Sequence, residues 1–338
     1  MQQPADEVHG PAASVATNAP RLGGPVIPKG ASHAPEGGND VPREVADLPE
    51  KSEAPTCPAG EETSRPDVSV AISAYNEAAR LPRSLAHVLP YLERRADPFE
   101  VVINDDGSTD GTAEIVREYC RRYPQRVRLI QAPVNQGKGA GVRRAVLASR
   151  GRYVLFSDAD FSTPIEELPR LLDALRQGYD IAIGSRIQPD GTDMRRSQPL
   201  YRRLFGKLFH RLADPLIVRG IKDTQSGFKA FRGEVAHELF RDTRLTSIIF
   251  DVEVLYLAQR RGYRIVEVPV TWTNAGGSRM RVTAKHAMRV LWDLLRIPWL
   301  HRHDAILPAG PRSAPAMSTE PGPAVGAAHT RSPKEQRP

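Results

Sequence analysis

The chain has 338 residues, a formal net charge of +7 and only 2 cysteines. That length suits one large domain or two smaller ones. The cysteine count excludes a disulfide-stapled module, and no Cys/His spacing suggests a zinc site.

Composition is uneven along the chain. Residues 1–66 and 304–338 hold 18 of the 30 prolines and lack apolar periodicity. Such segments cannot bury enough surface to offset their ordering entropy, so both read as disordered tails around one domain at 67–303. The tails carry a net −4, which leaves +11 to the part between them. A basic core suits nucleic acid, phosphorylated small molecules or an acidic membrane face, or is merely a solvated surface. Cys57 falls in a tail and Cys120 in a predicted helix, so no disulfide is expected and a reducing cytoplasm fits. No basic start with an apolar run marks a signal peptide, and no run of about 18 apolar residues would span a bilayer.

The first predicted element is a buried strand, Val68 to Ala74, whose apolar β-branched run ends at a polar cluster. Leu81, Leu85, Val88 and Leu92 then recur at helical spacing, with a kink expected at Pro90. A second strand covers Phe99 to Ile103, and Asp110 is placed to cap a helix running to Arg122. Val127 to Gln131 is a third strand, followed by a helix from Lys138 to Ser149. Tyr153 to Phe156 is the fourth strand. Thr163, Pro164 and Glu166 have the spacing of a capping box for a helix ending near Gln177. Asp180 to Ile183 is the fifth strand. Strands alternating with helices imply a mostly parallel, doubly wound sheet, with ligands beyond the carboxyl ends of its strands.

Three polar clusters fall at those ends. Asp158-Ala159-Asp160 offers two carboxylates at i and i+2 that can converge on a hard cation, although alone it reads more readily as a helix cap and a solvated turn. Asp105-Asp106-Gly107-Ser108 offers acceptors for a base or ribose; an Asp-Gly turn explains Gly107 and Asp110 but not the two aspartates. Asn135 to Gly141 opens a helix with glycines that admit phosphate or serve tight packing.

Together with the strings AYNEAARLP, NDDGSTDGT, NQGKGAGVRRA, DADFSTP, GSR, DTQSGFKAF, FDVE and VPVTWTNAGGSRM, these clusters make the sequence resemble glycosyltransferase family 2, from about Asp67 to Arg302. It is most similar to the dolichyl-phosphate glucosyltransferase branch, related to the polyprenyl-phosphate mannosyltransferases. The resemblance implies a GT-A fold: a Rossmann-like, mostly parallel sheet flanked by helices, with amphipathic helices toward the membrane. It implies that Tyr75, Glu77 and Asp106 hold the uridine end of a nucleotide sugar, with Asp105 nearby and Lys138 on the donor side. Asp158 and Asp160 would hold Mg²⁺ or Mn²⁺. Ser162 stands where some mannosyl relatives carry a further Gln ligand. Arg186 would face the donor phosphates, and Asp223 and Gln225 the reacting sugar.

The activity so implied is inverting transfer of a hexose, with UDP-glucose the preferred donor, to dolichyl or polyprenyl phosphate. An acceptor phosphate is already anionic near neutrality, its second pKa being roughly 6. Charge neutralisation then matters more than proton removal. Arg195, Arg196, Arg202, Arg203, Ser278 and Arg279 are the candidates to hold it. Tyr201 to Val218 and Ala287 to Leu300 read as basic amphipathic helices suited to a membrane surface or to an ordinary core. A peripheral place on the cytoplasmic face is expected, with no nucleic-acid partner. A family 2 enzyme with a soluble or polysaccharide acceptor, a non-catalytic binder and a nucleotidyl transferase are the competing readings.

Overall fold

The computed structural model describes residues 65–194, 217–273 and 284–304. The expected tails, apart from a few bordering residues, lie outside these ranges. Five strands lead: β1 (Val68–Ala74), β2 (Phe99–Asp106), β3 (Val127–Ala132), β4 (Tyr153–Asp158) and β5 (Ile181–Ser185). Helices α1 (Leu81–Arg94), α2 (Thr112–Arg122), α3 (Lys138–Leu147) and α4 (Leu168–Arg176) alternate with them. Beyond them come β6 (Phe228–Arg232), α5 (Gly233–Asp242), α6 (Phe250–Arg260), β7 (Ile265–Pro269) and α7 (Ala284–Leu300).

The seven strands form one sheet in the order β3-β2-β1-β4-β6-β5-β7. All pairings are parallel except those of β6, which runs antiparallel to β4 and β5. The sheet is thus mostly parallel, as the alternation of elements implied, with one reversed strand wedged into it. Side chains alternate to two cores. Val70, Ile72, Val101, Ile103 and Leu155 pack with α1, α2 and α4 on one face. Ala71, Val102, Val154 and Phe156 pack with α3, α5, α6 and α7 on the other. Both faces are covered, which is why β1 reads as a nearly continuous apolar run.

Chain order reverses between β1 and β4: β2 and β3 lie to one side and β4 to the other. Such a switch point opens a crevice at the carboxyl ends of the strands. Register brings Ala74 beside Asp105 and Ser73 beside Asp158 there. Helix α3 comes close enough to β1 that a Cβ on Gly141 would lie 2.1 Å from Ser73 Oγ.

The expected capping box at Thr163 does not form. Ile165–Glu167 is a 3₁₀ turn ahead of α4, with no side-chain cap bond, and the first-turn proline is Pro169 rather than Pro164. The Glu166 carboxylate lies 2.9 Å from His87 Nε2 instead. Pro90 sits inside the unbroken helix α1. Residues 201–216 of the first expected amphipathic helix lie outside the described ranges. The second is α7, which buries Val290, Leu294 and Ile297 and leaves Met288, Trp292, Leu295 and Trp299 between 50% and 66% exposed. No helix among the described residues is long and apolar enough to cross a membrane.

Candidate active site

Local hydrogen bonds fix the loop after β1. Asn76 takes the left-handed conformation, φ 55°, tolerable for Asn because its short side chain bonds locally. Its Oδ1 accepts from Thr109 N–H at 2.8 Å, and its N–H donates to Ser108 Oγ at 2.8 Å. Glu77 N–H donates to Thr112 Oγ1 at 2.8 Å. Asp110 Oδ2 accepts from Ala78 N–H, while its Oδ1 accepts from Thr112 N–H at the start of α2. Asp110 therefore ties two loops together as well as serving the helix. Tyr75 projects from this loop, 45% exposed.

The two aspartates ending β2 differ. Asp106 is buried and both of its oxygens are engaged. Oδ2 accepts from Gln136 N–H at 3.1 Å and Gly137 N–H at 2.9 Å, and Oδ1 lies 3.2 Å from Arg144. Its visible task is to shape the glycine loop ahead of α3. Asp105 is fully buried; Oδ1 accepts from Ser108 N–H at 3.3 Å, while Oδ2 has no hydrogen-bond partner among the described residues. Burial pushes its carboxyl above the ordinary value, Asp106 and Asp110 add to this, and the bonds to Ser108 oppose it.

Asp158 and Asp160 stand at the end of β4. Asp158 Oδ1 lies 2.7 Å from Lys138 Nζ on α3, and Asp160 Oδ2 lies 3.8 Å from Arg80. Asp160 Oδ1 accepts from Ser162 N–H at 3.1 Å. Phe161, between them, is held at φ 45°, a strained conformation of the kind found at ligand clamps. Gly227, just ahead of β6, presses on Asp158: a Cβ there would lie 2.0 Å from Oδ2. Burial disfavours the Lys138 charge, but Asp158, Asp251 and Asp160 outweigh it and raise its pKa. Arg80 was not singled out in the sequence, yet it forks onto Glu77 at 2.5 and 2.7 Å while reaching toward Asp160. The bonds to Glu77 raise its pKa, against burial.

Across the crevice, Asp223 is 1% exposed and grips Arg186. Its Oδ2 accepts from Arg186 N–H and Nε at 2.8 Å each, and its Oδ1 accepts from the terminal nitrogen at 2.5 Å. Burial opposes the Arg186 charge, and Asp223, Asp158 and Asp193 restore and raise its pKa. The Trp272 ring lies 6.0 Å from the Arg186 guanidinium. Gln225 is half-buried in the loop before β6. The expected acceptor-phosphate residues Arg195, Arg196, Arg202, Arg203, Ser278 and Arg279 lie outside the described ranges. A separate cavity of about 580 Å³ opens at the opposite end of the sheet, where Arg65, Arg152, Asp67 and Asp97 mix both signs of charge.

The model of the family described as glycosyl transferase family 2 matches residues 69–240, just over half of the chain. The chain belongs to glycosyltransferase family 2. A dolichyl-phosphate beta-glucosyltransferase of Trichomonas vaginalis is 39% identical over 236 residues, 67% of this chain and 69% of that protein. One from Dictyostelium discoideum is 36% identical, over 68% and 73% of the two chains. The fold is shared with glucosyl-3-phosphoglycerate synthase from Mycobacterium tuberculosis, solved with phosphoglyceric acid. That structure has a TM-score of 0.51 and 20% identity over 69% of this chain and 80% of that one. The protein is thus a glycosyltransferase with a GT-A sheet.

Proposed function

We propose that this enzyme transfers glucose from UDP-glucose to dolichyl or polyprenyl phosphate, with inversion, at the cytoplasmic face of a membrane. The observation that carries the reading is the pair Asp158 and Asp160 at the switch point, each already facing a protein cation. A site that recruits Lys138 and Arg80 to its two carboxylates is built for positive charge. Among the described residues no third His, Cys, Asp or Glu joins them. That fits Mg²⁺ or Mn²⁺, which complete their shells with substrate phosphate and water. Bound there, the cation would neutralise the departing diphosphate.

The remaining work falls to the chain's own groups. Asp105 Oδ2, a buried acceptor with no hydrogen-bond partner among the described residues, suits an N–H of the base. Lys138, next to Asp158, suits the donor phosphates. Arg186, oriented by Asp223, suits the negative charge that develops as an acceptor phosphate oxygen bonds to the anomeric carbon and the bond to UDP breaks. The names of the relatives, which specify dolichyl phosphate and a beta product, support lipid acceptor and inversion alike. The exposed row of α7 supports the membrane.

The test is direct. Purified protein with Mn²⁺ and polyprenyl phosphate is given a panel of radiolabelled nucleotide sugars. Label from UDP-glucose should pass into an organic phase. Label that stays aqueous with every donor, while a soluble acceptor is glycosylated, would overturn the lipid acceptor.

A further inference from the structure

Beneath the crevice lies an ion pair that the reaction does not use. Lys229, 1% exposed in the middle of β6, has Phe156 and Ile183 as its register neighbours on either side. Its Nζ donates to Asp251 Oδ1 at 2.6 Å and to the Ser226 carbonyl at 2.5 Å. Asp251, 4% exposed, stands in the first turn of α6. Replacing such a buried pair by apolar side chains is often neutral or stabilising, so stability alone does not account for it.

What the pair holds is informative. Ser226 is tied at every polar group: its carbonyl to Lys229, its Oγ to the Gly184 carbonyl at 2.5 Å, and its N–H to the Asp223 carbonyl at 3.4 Å. The next residue, Gly227, accepts from Asp158 N–H at 3.0 Å and lies against the Asp158 carboxylate. One buried ammonium thus fixes the two-residue segment that touches both Asp158 and Asp223. The inner pair also sits behind the outer one: the Nζ atoms of Lys138 and Lys229 lie 5.5 and 6.0 Å from the same Phe156 ring.

We propose that Lys229 and Asp251 are positioning residues, fixing the Ser226–Gly227 main chain so that Asp158 is preset for the cation and the donor diphosphate. This rests on the reading of Asp158 given above. Removing such support should leave the fold intact while loosening the metal ligand.

The experiment measures Mn²⁺ binding to the full chain in the presence of UDP, by the electron paramagnetic resonance signal of free Mn²⁺, alongside Tm. In Lys229→Met/Asp251→Leu, Tm should match or exceed wild type while Mn²⁺ affinity falls by about tenfold or more, the range for supporting groups around metal ligands. A folded double variant whose affinity stays within about twofold of wild type would overturn the proposal. Should that variant not fold, Asp251→Asn decides: the weakened hold on Lys229 should cost about threefold or more in affinity, and none lost overturns it. Asp158→Asn is the control. If it binds Mn²⁺ as wild type does, the donor-site reading fails; if it loses Mn²⁺ and the paired variants do not, only the positioning role fails.

Discussion

Asp105 and Asp106 adjoin in sequence and diverge in chemistry. Asp106 is satisfied by main-chain donors and Arg144, whereas Asp105 is buried with one oxygen unbonded among the described residues. Its raised pKa means that the folded state binds a proton more tightly than the unfolded chain. Stability is therefore lost as pH rises from the unfolded value through the folded one. Asp105→Asn should accordingly raise Tm at neutral pH, and the gain should vanish in acid, where the wild-type carboxyl is protonated as well. The same change should weaken UDP binding, which calorimetry at neutral pH would show; unchanged Tm and UDP affinity would remove Asp105 from the site. Asp223 and Arg186 form the second residue-scale case. Because three hydrogen bonds join them, they should act as a unit. Asp223→Asn and Arg186→Lys should each lower kcat, the double variant should be little worse than the worse single one, and the pH profile should keep its shape. Additive losses, or a pH limb that disappears only in Asp223→Asn, would identify Asp223 as a general base instead.

At the scale of elements, α3 makes the sharpest claim. Its glycines are poor helix formers, and Ala in place of Gly should add about 1 kcal/mol of intrinsic helix stability. Yet the Gly141 Cβ would meet Ser73 Oγ at 2.1 Å and Asn104 Nδ2 at 3.1 Å. A contact that close belongs at the upper end of the overpacking cost, roughly 1–3 kcal/mol, which outweighs the propensity gain. Gly141→Ala should thus lower Tm, and Ser73→Gly in the same background should recover part of the loss; a rise in Tm would show that α3 can shift off β1. The legibility of the sequence follows the same line between local and distant causes. Strands β1 to β5 could be read because burial on both faces turns them into apolar runs. The reversed insertion of β6 could not, since pairing order is set by contacts far apart in sequence. FKAFR carries a lysine in mid-strand, yet β6 lies inside the sheet, so both faces are covered and Lys229 pairs with Asp251. The capping box failed for a similar reason: its spacing is a local signal, and Glu166 is drawn to His87 on another helix. The DxD pair, the paired aspartates and the glycine loop could be picked out, whereas Arg80 could not, because its meaning depends on Glu77 and Asp160 meeting across a fold.

At the scale of the molecule, α7 links the crevice at the β1/β4 switch point to one exposed face. His301, fully buried just past that helix, has Nε2 2.8 Å from Glu253 and Nδ1 2.5 Å from Asp304. Glu253 on α6 accepts from the N–H groups of Arg244 and Leu245, and the same loop supplies the Thr246 carbonyl that accepts from Gly139 N–H at 2.8 Å. Helix α7 is thereby anchored to the glycine loop of the crevice rather than hung from the domain. Its outer row, Met288, Trp292, Leu295 and Trp299, recurs at helical spacing, and Arg302 stacks 4.3 Å from the Trp299 ring. Tryptophans of this kind favour the membrane interface, and the basic core between the tails favours anionic headgroups. Full burial of one large apolar side chain is worth roughly 1.5–3 kcal/mol, and about 1.4 kcal/mol is tenfold in affinity. Even partial insertion makes Trp292→Ser/Trp299→Ser about tenfold weaker or more in co-sedimentation with anionic vesicles. Since α7 keeps its buried row, turnover with a short, water-soluble polyprenyl phosphate should stay near wild type while turnover with vesicle-borne acceptor falls. Equal binding of both proteins to vesicles would mean that α7 faces something other than lipid, and the membrane would have to be met by another surface.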